Sequence, residues 1–236
     1  MKGVFSRNLA LVVALLFSNF IHAQLYEMGI HFGYNLSKLK PTSSQVNESL
    51  TVFDGRSQGG ATFGINFLYG PPRNQAVKGF NLIPALMFEA SLCRCGGRLN
   101  FSTSLGDSLR SLTELNYLFY RADFSPKFVA QIQKFRFLAG PTVTRFFYSE
   151  VRPTGSDISK NAASQFQPMV FGYEFGVGWQ IKSVTLSTRY QNHITEFGRP
   201  SPILESSFRN HQFKFMVHYY FLQKNRGSYW NSIYWN

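Results

Sequence analysis

The run His211 to Phe221 limits this chain more than any other stretch of it. Taken alternately, Phe213, Phe215, Val217, Tyr219 and Phe221 make one apolar, aromatic face, while Gln212, Lys214, Met216, His218 and Tyr220 make a mostly polar one. Side chains of a β-strand alternate between two faces, so the two sets look in opposite directions. The same pattern recurs upstream. Phe171, Tyr173, Phe175, Val177, Trp179 and Ile181 oppose Gly172, Glu174, Gly176, Gly178 and Gln180, and Met28, Ile30, Phe32, Tyr34 and Leu36 oppose Glu27, Gly29, His31, Gly33 and Asn35.

At the N-terminus, Lys2 and Arg7 precede an apolar run from Leu9 to Phe17, followed by Ile21-His22-Ala23. That run is too short to span a bilayer as a helix and reads as a signal peptide over residues 1–23. The segment 24–222 holds no other long apolar stretch, which excludes a helical inner-membrane protein. A closed sheet is the other way for a chain to cross a membrane. Composition favours it over a secreted soluble β-protein. Only 15% of residues are charged, while aromatics reach 17% with 25 Phe, against roughly 25% charged in soluble domains. Large side chains on one face and Gly, Ser, Thr, Asn and Gln on the other predict a lipid-facing outside and a tight polar inside.

The chain carries 24 Lys and Arg against 12 Asp and Glu, and loss of Lys2 and Arg7 with the leader leaves a net charge of about +10. The basic residues are scattered and export is indicated, so nucleic acid is rejected as a partner. Outer-membrane lipid or lipopolysaccharide phosphate is the expected counterpart.

Eight strands are expected, starting near Tyr26, Gly59, Phe80, Thr113, Phe135, Phe171, Val184 and His211. Polar loops over about 40–58, 94–111, 149–165 and 196–209 alternate with short connections at Pro71-Pro72-Arg73-Asn74, Gln131 to Lys134 and Lys182-Ser183. The fold expected is all-β, an eight-stranded antiparallel transmembrane β-barrel with long extracellular loops and short periplasmic turns. Pro84 predicts an edge or a bulge, and Ala139-Gly140-Pro141 a bulge. The fourth strand is apolar on both faces, leaving its orientation open.

Gly29 to Ser37, Asn116 to Tyr120, Leu138-Ala139-Gly140-Pro141, Tyr173 to Gly178 and Arg189-Tyr190-Gln191 occur in that order. Together they resemble the small outer-membrane barrels of Bacteroidota-type bacteria, labelled porin-family or OmpA-like, a group that includes the PorT-like proteins of type IX secretion. The resemblance implies eight antiparallel strands and outer-membrane residence, and it brings no functional residues with it. The chain departs from the pattern in continuing past Phe221.

Glu89, Arg136, Glu174, Arg189, Lys214 and His218, with His31 and His193, are the candidate lumen residues, expected to form a structural network because an eight-stranded barrel is just filled by side chains. His193 with Glu196 would be the base and orienter of a lipid hydrolase, but no nucleophile completes the set and His193 is expected as a rim residue. Cys93 and Cys95 are too few for zinc. A local disulfide there needs a kinked backbone, which leaves a strained bridge or two free thiols. Gly172, Gly176 and Gly178 lack a following helix and so are room for bulky lumen neighbours rather than a phosphate loop. Over residues 223–236, Tyr229, Trp230, Tyr234 and Trp235 suit an interface anchor or a docking segment for outer-membrane or periplasmic proteins. The chain is expected to be non-enzymatic, without cofactor or metal: an accessory or scaffold subunit of an envelope complex, with type IX secretion or outer-membrane uptake machinery as the candidate settings. A small porin-like channel and a lipid hydrolase are the alternatives.

Overall fold

The computed structural model describes residues 24–41, 45–47, 50–70, 82–105, 109–153, 160–161, 166–196 and 208–223. The leader at 1–23, the turn at Pro71 to Asn74 and the tail with Tyr229, Trp230, Tyr234 and Trp235 lie outside them. Eight principal strands follow one another: β1 Gln24–Pro41, β2 Leu50–Gly70, β3 Leu82–Leu105, β4 Leu109–Ile132, β5 Phe135–Pro153, β6 Met169–Ile181, β7 Val184–His193 and β8 Phe208–Gln223. Each pairs antiparallel with the next, and β1 pairs with both β2 and β8, so the sheet closes on itself. Two short strands, Gln45–Asn47 and Lys160–Asn161, add to β2 and β5 at one end.

The strands tilt. Following paired residues once around the ring leads from Leu25 to Tyr69, Leu86, Phe128, Ala139, Phe175, Tyr190 and Phe213, and returns to β1 at Leu36. A fixed stagger of this kind is what barrel closure demands. Nearly every residue on that circuit is large and apolar, and all of them face outward. Phe32, Phe63, Phe128, Phe175 and Phe213 are each half or more exposed, and Trp179, Phe137 and Tyr219 only a little less. The inward partners of these positions are buried and mostly polar, among them His31, Asn35, Thr62, Asn66, Ser91 and Gln191. The expected alternation therefore holds on β1, β2, β3, β6, β7 and β8.

Three expectations are corrected, and two that offered alternatives are narrowed. The Gly- and Ser-rich stretch 94–111 is not a long loop. β3 and β4 stay in register there, from Cys95↔Phe119 to Leu105↔Leu109. Beyond the apolar band a strand needs no greasy outer face, so its composition turns loop-like while its ladder continues. Similarly, β2 already begins at Leu50, inside the loop expected over 40–58.

Of the two settings expected for Pro84 the bulge is not found: it pairs in register with Ala130. The described ladder with β2 ends at Tyr69↔Leu86.

Ala139-Gly140-Pro141 makes no bulge either. Pro141 lies across from Pro126, neither has an amide hydrogen, and the β4–β5 ladder stops after Phe124↔Val143 and resumes at Phe128↔Ala139 without changing register. Gly140 permits the close approach, since a Cβ there would stand 2.1 Å from the Pro126 carbonyl oxygen. The β4–β5 bulge lies higher, at Phe147, between the pairs Arg121↔Phe146 and Tyr120↔Tyr148.

Of the two states expected for Cys93 and Cys95, the structure has the free thiols: both are buried, and two residues apart on one strand they share the inward face. The two-residue turns at Gln133-Lys134 and Lys182-Ser183 carry Gln133 and Lys182 at φ 54° and 53°, the left-handed geometry that matches hairpin twist.

β4 resolves the orientation left open above. Tyr117 and Phe119 point inward with Arg121, Asp123, Ser125 and Lys127, whereas Tyr120, Phe124 and Phe128 point outward. The lumen is therefore layered. An aromatic cluster of Leu39, Cys95, Leu99, Tyr117, Phe119, Phe166, Val170 and Phe208 fills it at the end remote from Gln24. Leu68, Ala85, Met87, Val129 and Leu138 form a smaller apolar layer toward the other end. If the outer band sits in hydrocarbon, Phe175→Arg, near its middle, costs about 2–4 kcal/mol of stability, measurable by urea unfolding in phospholipid vesicles. An equal unfolding midpoint for wild type and variant contradicts that placement.

Candidate functional site: a charged lumen

Between the two apolar layers, five strands bring seven charged side chains together. β3 supplies Glu89; β4 supplies Arg121, Asp123 and Lys127; β6 supplies Glu174; β7 supplies Arg189; and β8 supplies Lys214. All are at most 3% exposed.

The contacts form one chain of alternating sign. The Arg189 guanidinium donates through Nη1 to both oxygens of Glu89, at 2.9 and 2.7 Å, and to Glu174 at 3.1 Å. Lys127 bridges the same carboxylates, 3.1 Å from Glu89 and 2.5 Å from Glu174. Lys214 continues from the other Glu174 oxygen at 3.0 Å to Asp123 at 3.2 Å. Arg121 closes the series on Asp123 at 3.0 Å, and its Nη2 also donates to Gln191 and Gln212. Thr144 donates to the second Asp123 oxygen at 2.7 Å. Each carboxylate thus meets at least two donors, the condition under which charge survives away from water.

The histidines sit at the margins. His218 Nε2 accepts from Arg189 at 2.8 Å, and His31 Nε2 is 3.0 Å from the Ser91 hydroxyl, which donates to Glu89 at 3.4 Å. His31, Glu89 and His218 bring potential ligand atoms within 4.8 Å of one another. That is a poor home for a metal ion, because Glu89 already neutralises Arg189 and Lys127, and both cations would repel a third.

Glycine makes the bulk possible. A Cβ at Gly176 would stand 2.7 Å from Arg189 Cγ, and one at Gly64 would stand 2.6 Å from His31 Nε2. The expectation for the β6 glycines is met in this sense.

Of the residues singled out from sequence, Glu89, Glu174, Arg189, Lys214 and His218 come together. Arg136 is buried but separate: it donates to Glu27 at 2.6 Å and to Gln180 at 2.8 Å, with its guanidinium 4.8 Å from the Tyr220 ring centroid. Arg121, Asp123, Lys127 and Glu27 were not anticipated as partners. The signal for the first three lay in the second half of β4, where Arg121, Asp123, Ser125 and Lys127 alternate with Ala122, Phe124, Pro126 and Phe128. The apolar first half of the strand masked it.

His193 is not a rim residue. It is 1% exposed inside the barrel, with Nε2 3.3 Å from Arg121 Nη1 and 3.2 Å from the Thr144 hydroxyl, while Glu196 pairs with Arg209 at 3.6 Å. Barrel tilt carries the end of β7 inward beneath the aromatic layer, where Phe146 lies 6.4 Å from the His193 ring.

Space is scarce. The cavity enclosed by Leu68, Met87, Arg136, Arg189, His218 and Tyr220 has about 10 Å³, room for at most one water.

No protein-family model matches the chain, and no curated protein matches it. Solved structures similar to it include Neisserial surface protein A, at 14% identity and a TM-score of 0.47 over 82% of this chain and 97% of that one. Another is Ail, the attachment invasion locus protein of Yersinia pestis, solved with the heparin analogue sucrose octasulfate, at 11% identity and a TM-score of 0.41 over 84% and 100%. Neither likeness bears on ligands or partners of this chain.

Removing one member of the network strands its partners. Glu174→Ala leaves Lys127, Lys214 and Arg189 facing Glu89 and Asp123 alone and is expected to cost about 3–5 kcal/mol. The temperature at which the folded band is lost in heat-modifiability gels reports it, and an unchanged temperature contradicts the network.

Proposed function

We propose that this chain is an outer-membrane β-barrel with a sealed interior, working as a non-enzymatic accessory or scaffold subunit of an envelope complex. The observation that carries the reading is the lumen. Its four cations and three carboxylates pair with one another across five strands, and aromatic side chains cap them. Tyr117 and Phe166 stand 6.0 Å apart edge to face, Phe119 and Phe166 5.1 Å, and Tyr117 and Phe208 6.2 Å. A barrel filled in this way leaves its work to its rim and ends.

The rim supplies a docking element. β3 and β4 are each 24 residues long, against the roughly 9–11 that a tilted strand needs to cross hydrocarbon. Their paired ends, from Gly96↔Leu118 to Leu105↔Leu109, continue past the outer band and offer a surface to a partner. The aromatic and basic residues 224–236, which follow β8, are proposed as a second contact on the strength of their sequence. Secretion of the PorT-like kind is the finer reading that the sequence resemblance favours, with uptake machinery beside it.

The porin-like alternative needs a water path through the ion-paired layer. The lipid hydrolase alternative loses its proposed base, since His193 lies beneath the aromatic layer.

In planar bilayers the purified barrel is expected to be electrically silent, and regular ohmic openings would replace the scaffold reading with the channel one. Extraction from native membranes in mild detergent should bring down stoichiometric partners. A strictly monomeric species, also after crosslinking from residues 224–236, counts against the complex.

A further inference from the structure

One part of the outer wall is concave. A groove of about 420 Å³ runs over β3 and β4 where Ala90 and Ala122 place methyl groups among rings. This volume falls within the roughly 300–1,000 Å³ of small-ligand sites. Register explains the shape. Ala90 pairs with Ile65 and Phe124, and Ala122 pairs with Leu92, so each small residue is walled by large ones. Phe63, Leu92 and Phe124 are 54%, 59% and 50% exposed, which leaves the groove open to whatever surrounds the barrel.

The groove ends at a cation. Arg145 on β5 is in register with Ala122 on one side and Met169 on the other, and its exposed side chain lines the groove. Among the described residues no carboxylate lies within salt-bridge distance of Arg145. Arg94 is also exposed and outward, in register with Tyr120 on β4. One strand separates it from β5 and its register is two residues off that of Arg145, so the two guanidinium groups stem from backbones roughly 12 Å apart. Exposed Lys40 and Arg56 extend the basic surface along the same end of the barrel. An arginine at the upper margin of a lipid-facing wall is costly unless it reaches an anionic headgroup.

We infer that this groove is a binding site for one molecule of lipopolysaccharide, an acyl chain of its lipid A lying over Ala90 and Ala122 and its phosphates meeting Arg145 and Arg94. Both features are needed for this assignment. The apolar floor alone would suit any acyl chain, and the cations alone any phosphate. Two separated guanidinium groups at the end remote from Gln24, the end that faces the outer leaflet, favour the diphosphorylated lipid over a phospholipid with one phosphate. The inference rests on the outer-membrane reading above.

The test uses the full chain extracted from membranes in dodecyl maltoside, titrated with diphosphorylated hexa-acyl lipid A or with phosphatidylglycerol and read by native mass spectrometry. One lipid A per barrel is expected, bound in preference to phosphatidylglycerol. Ala122→Phe fills the groove, and Arg94→Glu with Arg145→Glu reverses its charge. Each is expected to weaken lipid A binding by about tenfold or more, with folding verified by heat-dependent gel migration. These positions lie on the outer wall, away from the lumen network. Equal binding of phosphatidylglycerol, or lipid A binding unchanged in both variants, overturns the inference. A barrel that stays folded in detergent yet takes no lipid A overturns it while leaving the membrane reading intact, whereas a protein folded and monomeric without any amphiphile overturns that reading itself.

Discussion

The pairing of β1 with β8 is the constraint from which the remaining architecture follows. In hydrocarbon no water is present to satisfy an amide or a carbonyl, so a sheet is tolerable there only without edges. Pairing runs from Glu27↔Gln223 to Pro41↔Phe208, shifted once, at Met28/Gly29. Once the ring is shut, each strand has one face toward lipid and one toward a space that side chains must fill. The aromatic exterior, the polar interior and the inward glycines are consequences of that division.

The interior inverts the usual globular core. Here apolar side chains are needed outside, and the polar residues are confined to a lumen too narrow for bulk water. Buried ion pairs are weak evidence for stability, because desolvation offsets much of their attraction. Geometry is what they impose. Glu174 reaches Lys127, Arg189 and Lys214 only if β4, β7 and β8 stand at their observed heights relative to β6. A slip of one residue on any of these strands would turn its charge into lipid, so the network fixes register around the ring.

Most of the fold was legible because lipid and lumen make opposite demands on alternate residues, and β1, β6 and β8 show this along their central residues, with Met216 on β8 the apolar exception that points inward. Legibility failed where that opposition lapses. On β4, Tyr117 and Phe119 point into an apolar layer, so both faces of the strand look alike in sequence. Over Gly96 to Leu105 the strand has left the outer band, and a polar composition no longer distinguishes ladder from loop. Of the central network, the members on well-patterned strands, Glu89, Glu174, Arg189 and Lys214, were found, while Arg121, Asp123 and Lys127 were missed for the one reason that β4 could not be oriented. His193 was misplaced because height along a tilted strand depends on the stagger of the whole ring, which no local pattern encodes.

The two facing prolines bear on how such a cylinder yields. Where Pro126 meets Pro141, successive rungs are absent near mid-wall, although the joint between the chain's two ends is continuous over its length. The gap is local: paired residues hold the same two strands above it, from Leu115↔Pro153 to Phe124↔Val143, and below it, from Phe128↔Ala139 to Ile132↔Phe135. Breathing of the wall is therefore expected as a small mid-wall opening at the two prolines, with the rungs on either side closed.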